Sequence, residues 1–190
     1  MSTNLEIEVK AKLNAEQYER IISNFKTSKI YLQINYYIDT KNLEIRNQNC
    51  GLRIRQIKDA FELTIKVPQK EGKLEINQQI SNISFANLEN NGLFPTGEVA
   101  TFIEQNLGLR ISDLHILGKL ETYRLDVKYG TSLISIDKSI YNSHVDYEVE
   151  AEDDSEENAI KNIKKFLADF GIEFHKFTKS KLRRFLETLS

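Results

Sequence analysis

Leu5-Glu6-Ile7-Glu8-Val9-Lys10-Ala11 carries an apolar side chain at every odd position and two acids and a base at the even ones. Successive side chains of a strand point to opposite faces, so this stretch predicts a β-strand with one apolar and one charged face. The same split returns in Leu52-Arg53-Ile54-Arg55, Phe61-Glu62-Leu63-Thr64-Ile65-Lys66-Val67, Ile134-Ser135-Ile136-Asp137 and Val145-Asp146-Tyr147-Glu148-Val149-Glu150. Working outward, period-two alternation predicts strands over 5–11, 33–39, 51–57, 61–67, 73–80, 119–128, 132–138 and 145–152. Gly130, between Asp126 and Ile140, relieves the turn of a hairpin there.

Helices are predicted between the strands. Asn14 and Gln17 spell a capping box ahead of Tyr18, Ile21, Ile22 and Phe25, which share one face at helical spacing. A second helix is expected from Glu98 to Leu107, stopped by Gly108, and a third from Ser155, with Ile160, Ile163, Phe166, Leu167 and Phe170 on one stripe before Gly171. A short fourth helix is expected after Thr178, capped by its hydroxyl, and the Asn-rich stretch 82–91 reads as a connector. Strands in the majority with a few helices predict an α+β fold.

The charged faces restrict the architecture further. A face that only meets water is the ordinary product of a half-buried antiparallel sheet. Here, however, Arg53 stands beside Arg55 and Glu148 beside Glu150. Residues two apart on a strand lie roughly 6 to 7 Å from each other, and like charges there repel by on the order of 2 kcal/mol at an effective dielectric near 20. Counter-charges relieve that repulsion: carboxylates take a cation and arginines an anion, and a metal–polyphosphate complex brings both. If the polar faces instead line a closed barrel, its apolar outside would be covered by the helices; the alternative of a half-buried sheet with its charged face in water is left open at this point.

Composition sets the outer bounds. The 190 residues are 40% hydrophobic and 28% charged, which suits one globular domain spanning 1–190. A net charge of −2 gives no reason to expect nucleic acid, and no apolar run reaches the length of a membrane span. The start MSTNLEIEVK lacks the basic residues and apolar stretch of a secretory signal, so a cytoplasmic location is expected. Cys50 is alone, and His115, His144 and His175 are too far apart for a zinc motif. The basic run Lys176, Lys179, Lys181, Arg183 and Arg184 reads by itself as a solvated helix face.

Glu6-Ile7-Glu8-Val9-Lys10 resembles the ExExK start of the CYTH family of triphosphate tunnel metalloenzymes. Asn35-Tyr36-Tyr37-Ile38-Asp39-Thr40, Gly51-Leu52-Arg53-Ile54-Arg55, Glu62-Leu63-Thr64-Ile65-Lys66, Leu74-Glu75, Thr122-Tyr123-Arg124, Ile136-Asp137-Lys138 and Tyr147-Glu148-Val149-Glu150 follow in the order of that family's strands. The resemblance implies a closed eight-stranded antiparallel β-barrel, a tunnel with a polar charged interior flanked by helices, in which Glu6, Glu8, Glu148 and Glu150 hold Mg²⁺ or Mn²⁺, with Asp137 a further acidic ligand or a partner of the metal's water. It implies that Lys10, Arg53, Arg55, Lys66 and Arg124 clamp phosphate oxygens, that Glu75 orients one of these cations, and that a lysine of Lys179-Ser180-Lys181, Lys179 foremost, reaches the same site. Lys10, Arg124 and Lys179 are the candidate catalytic residues. Thr122 stands where some members carry a lysine, which leaves the general base open, with a metal-bound hydroxide as one candidate.

The expected activity is hydrolysis of a phosphoanhydride bond in a short-chain polyphosphate or organic triphosphate, as in a tripolyphosphatase. Two alternatives stay open: a class IV adenylate cyclase making cyclic AMP from ATP, and a non-catalytic sensor that binds polyphosphate or nucleotide. The expected partner is that small molecule, with neither nucleic acid nor membrane, and a homodimer is left open.

Overall fold

The structure is a computed structural model that describes residues 2–189. Met1 and Ser190, the ends of the expected single domain 1–190, lie outside the described residues. The chain divides into two compact units. The first holds Gln33–Leu120 with the N-terminal residues up to Leu5, and the second holds Glu6–Leu32 with the chain from Glu121 onward.

In the first unit the strands are β1 (Ser2–Glu6), β3 (Tyr31–Thr40), β4 (Gly51–Ile57), β5 (Ala60–Pro68), β6 (Lys73–Ile80) and the first half of β7 (Leu114–Tyr129), hydrogen-bonded in the order β1-β6-β5-β4-β3-β7. The antiparallel registers put side chains of adjacent strands in rows: Asn35, Arg55, Glu62 and Gln79 in one, and Tyr37, Arg53, Thr64 and Asn77 in the next. The opposite face carries Leu52, Ile54, Leu63, Ile65 and Ile76, buried in one core with α3 (Asn82–Asn91) and α4 (Glu98–Phe102). The expected second helix is α4 continued by a π-helical turn, Ile103–Leu107, and Gly108 ends it in the left-handed conformation.

The Asn-rich stretch is a helix, not a connector. Asparagine is a modest helix former, but Ser81 caps the first turn through Ser84 N, and Gly92 closes the last at φ +66°. Phe85 then stacks on Phe61 with ring centres 4.6 Å apart, while Leu88 is buried beside it. Burying those two side chains outweighs the weak local propensity. A one-turn helix, α2 (Glu44–Asn47), also escapes the sequence pattern, and buried Asp39 holds it by accepting the backbone N–H groups of Ile45 and Arg46.

In the second unit the strand order is β7-β8-β9-β2-β10, with β2 (Glu8–Leu13), β8 (Ser132–Tyr141), β9 (His144–Glu152) and the two-residue β10 (Lys176–Phe177). The apolar face, with Val9, Ala11, Leu125, Ile134, Ile136, Val149 and Ala151, is packed under α1 (Ala15–Ile22) and α5 (Glu156–Ala168). The capping box of α1 is complete: Gln17 N donates to Asn14 Oδ1 at 2.8 Å, and Asn14 N to Gln17 Oε1 at 2.9 Å. Ser155 caps α5. The last helix, α6 (Lys181–Leu186), is capped by Ser180 and not Thr178, so it begins two residues later than expected.

The expected closed eight-stranded barrel is corrected. Among the described residues the sheet is open and has ten strands, with β1 and β10 each at an end of the order. Two features raise the number. The predicted strand 5–11 is broken at Ile7 into β1 and β2, which pair with different neighbours, and β10 adds an edge beyond β2. The expectation of strands in the majority with a few helices, an α+β fold, describes the chain. No helix among the described residues is long and apolar enough to cross a membrane.

A buried cluster of carboxylates and cations

Cross-strand register builds the site of the second unit. Arg124 of β7 lies opposite Asp137 of β8, Asp137 opposite Glu148 of β9, and Glu150 of β9 opposite Lys10 of β2. The fork of Arg124 grips Asp137 with both prongs, Nε to Oδ1 at 2.8 Å and one terminal nitrogen to Oδ2 at 2.5 Å, and the same nitrogen donates to Glu150 Oε2 at 2.6 Å. Lys10 Nζ donates to Glu150 Oε1 at 3.1 Å and to Glu8 Oε1 at 2.9 Å. From α6, the ammonium of Lys181 enters among the three acids, 2.8 Å from both Asp137 Oδ2 and Glu150 Oε1 and in contact with Glu148 Oε1.

Asp137, Glu148 and Glu150 each present an oxygen within 4.8 Å of the others, and all three are buried. Both oxygens of Glu148 face charge, from Lys181 on one and from Arg184 at 2.8 Å on the other, yet neither accepts an aligned hydrogen bond. Hard carboxylate oxygens, close-set and not all engaged by hydrogen-bond donors, fit a divalent cation such as Mg²⁺ or Mn²⁺.

The cluster also separates its carboxyls. Burial pushes all three toward the neutral acid. At Glu150 this is overcome by Lys181, Lys10 and Arg124, which hold the carboxyl well below its usual range, and at Asp137 by Lys181 and Arg124. At Glu148 burial prevails, reinforced by Glu150, and its carboxyl is raised. Lys10 and Arg124 are the mirror case, since burial favours their neutral forms but the surrounding acids keep both firmly protonated.

Some expected residues stand elsewhere. Glu6 closes β1, ahead of the break at Ile7, and neither it nor Glu8 belongs to the three-carboxylate group; Glu8 reaches it through Lys10. Lys179 pairs with Glu187 at 2.8 Å and is well exposed, so Lys181 is the lysine of that segment that enters the cluster. Thr122 is fully buried with its hydroxyl 3.2 Å from that of Ser139.

Arg184 carries no role in the sequence reading. It is buried, donates to Asp146 Oδ2 at 2.8 Å and to the Lys179 carbonyl at 2.9 Å, and stacks over Phe177. These contacts fix α6 so that Lys181, one turn earlier, points at the acids. The helical spacing of Lys181 and Arg184 was the available signal, hidden inside a basic run.

In the first unit, Arg53, Arg55, Lys66 and Glu75 share the polar face. Lys66 Nζ meets its cross-strand partner Glu75 at 2.5 Å, and Arg53 lies 3.9 Å from the same oxygen. Burial alone would raise the Glu75 carboxyl, but Lys66 and Arg53 lower it. Arg55 Nε donates to Asn35 Oδ1 at 3.2 Å.

A family model described as CYTH domain matches residues 4–186. A protein of Bacillus subtilis (strain 168) named "Putative triphosphatase YjbK" is 32% identical over 190 residues, covering 98% of this chain and 97% of its own. Among solved structures, a "putative adenylate cyclase" from Bacillus halodurans superposes with a TM-score of 0.88 at 33% identity, over 97% of this chain and 99% of its own. HpAC1 from Hippeastrum, described as having a dominant triphosphatase activity, shares the fold with a TM-score of 0.84 at 21% identity, over 97% of this chain and 96% of its own. With its strands, its charged polar faces and this match along nearly all of its length, the chain belongs to the CYTH domain family.

Proposed function

We propose that this protein is a cytoplasmic, divalent-metal-dependent triphosphatase that hydrolyses a phosphoanhydride bond of a short-chain polyphosphate or organic triphosphate, tripolyphosphate foremost. The observation that carries this is the buried set of Asp137, Glu148 and Glu150, within 4.8 Å of one another and interleaved with Lys10, Arg124 and Lys181. The Bacillus subtilis relative named as a triphosphatase supports it. The family model covers parts of both compact units, and the proposal treats 1–190 as one functional domain.

Asp137, Glu148 and Glu150 would hold Mg²⁺ or Mn²⁺. Such an ion supplies Lewis-acid stabilisation of phosphoryl charge and lowers the pKa of its water. Arg124, Lys10 and Lys181 then turn their donors to phosphate oxygens, whose negative charge replaces that of the carboxylates they otherwise pair with. On the polar face of the first unit, taken by itself, Arg53, Arg55 and Lys66 are a phosphate-binding set, with Glu75 holding Lys66 in place. Glu8 positions Lys10. Thr122, paired with Ser139, is no base at neutral pH.

The test is phosphate release from tripolyphosphate, thiamine triphosphate and ATP, with Mg²⁺ or Mn²⁺ and with chelator. Release that needs the metal and falls at least roughly 100-fold in Lys181→Met and Glu150→Gln is expected, on the scale of losing one electrostatic contact to the transition state. Well-folded protein that releases phosphate from none of the three overturns the proposal. A second reading, the class IV adenylate cyclase, draws on the name of the Bacillus halodurans structure. Chromatography of the ATP products separates the two, since a cyclase yields cyclic AMP and pyrophosphate.

A further inference from the structure

We infer that Asn35 is a substrate-binding residue whose side-chain Nδ2 donates a hydrogen bond to an oxygen of the bound polyphosphate, beside Arg55. The inference rests on the proposal that the polar face of the first unit binds phosphate.

Asn35 sits on β3 directly opposite Arg55 of β4 and is buried to 1% exposure. Arg55 Nε donates to Asn35 Oδ1. That bond fixes which way the amide points, because a flipped amide would aim N–H groups at a guanidinium that has only donors. The amide nitrogen is thereby turned away from Arg55, and it is buried with no hydrogen-bond partner. One register position along the same face, Arg53 Nε is likewise buried and unpaired.

An amide that served only to steady Arg55 would need no second polar atom. A buried donor left unmade is costly, and native structures keep such atoms for a ligand, a water or an ion. The unpaired N–H donors of Asn35 and Arg53, set beside the Arg55 guanidinium, suit an oxyanion with several oxygens; buried Gln33 Oε1, two residues before Asn35 on β3, and Glu75 Oε1 are acceptors without an aligned hydrogen bond. Asn35 adds a neutral donor to a set of cations, so its contribution does not titrate.

A double-mutant cycle separates direct donation from positioning. The dissociation constant of tripolyphosphate is measured by calorimetry on the full chain with chelator present, for wild type, Asn35→Ala, Arg55→Ala and the double variant. Loss of one hydrogen bond to a charged group predicts that Asn35→Ala weakens binding about tenfold. In the Arg55→Ala background it still weakens binding several-fold, since the donor acts on the ligand itself. Asn35→Asp keeps an acceptor for Arg55, and with it the fold as read by an unchanged thermal melt, but sets an anion against the phosphate and weakens binding more than Asn35→Ala does.

No binding by wild type, or equal affinity in wild type and Arg55→Ala, overturns the assignment of this face to phosphate and Asn35's part with it. If Arg55→Ala weakens binding and Asn35→Ala does nothing further in that background, the phosphate face stands and the role of Asn35's own N–H is overturned.

Discussion

Glu148 and Glu150 stand two residues apart on one face of β9, both buried, yet their carboxyls are driven in opposite directions. The difference is the company of cations. Glu150 has Lys181, Lys10 and Arg124 against it, all hydrogen-bonded, whereas burial dominates at Glu148. The signs for stability follow by linkage. A depressed carboxyl such as Glu150 stabilises the fold above its unfolded pKa of about 4.3, and that contribution is lost as pH falls through the folded value. A raised carboxyl such as Glu148 does the reverse, favouring the fold while protonated and opposing it once pH rises through its folded value. Glu150→Gln is therefore expected to cost about 3 kcal/mol at neutral pH and to flatten the acid side of the stability curve, since it strips a buried group of cations of its counter-charge. Glu148→Gln is expected to be neutral or stabilising at neutral pH. Denaturant titrations from pH 2 to 8 check both, and an equal loss in the two variants at neutral pH would contradict the assignment. At this scale spacing showed the charged faces, the ExE pairs among them, and the resemblance to a family named Lys10, Arg124, Asp137, Glu148 and Glu150. It favoured Lys179, whereas Lys181 enters the cluster, since the choice depends on where α6 begins.

That start is an element-scale question, and caps decide it. Ser180 accepts from Arg183 N at 3.2 Å, which places Lys181 at the first helical position. Ser81 does the same for α3. Replacing either serine by alanine removes a partner for an orphan amide, so Ser81→Ala is expected to lower stability by about 1 kcal/mol. Urea unfolding measures that loss. Ser180→Ala is expected to cost a similar amount and also to reduce phosphate release, because Lys181 rides on the first turn; a loss of stability with full activity would show that the cap does not position Lys181. Strands were legible wherever polar and apolar residues alternated, and 51–57 and 73–80 coincide with β4 and β6. The Asn-rich helix was not, because its stability comes from packing that local spacing does not show, Phe85 against Tyr36 and Phe61 with Leu88 buried in the same core.

For the whole molecule, a bound divalent ion has a thermodynamic effect independent of turnover. A ligand that binds only the folded chain, at 100 times its dissociation constant, stabilises it by about 2.7 kcal/mol. Saturating Mn²⁺ is therefore expected to raise the thermal midpoint and EDTA to reverse the rise, with Glu150→Gln losing most of the shift. A melt indifferent to Mn²⁺ would remove the three-carboxylate group as a metal site. By itself the sequence determined the α+β class, the two-faced strands and most of the charged positions, because a period of two and helical spacing are properties of neighbouring residues. Only the tertiary structure decided that the sheet has ten strands and stays open, that Lys181 meets Asp137, Glu148 and Glu150, and that those acids do not share one protonation behaviour. Coulombic energy and desolvation depend on distance and burial, and both are set by which strands lie side by side.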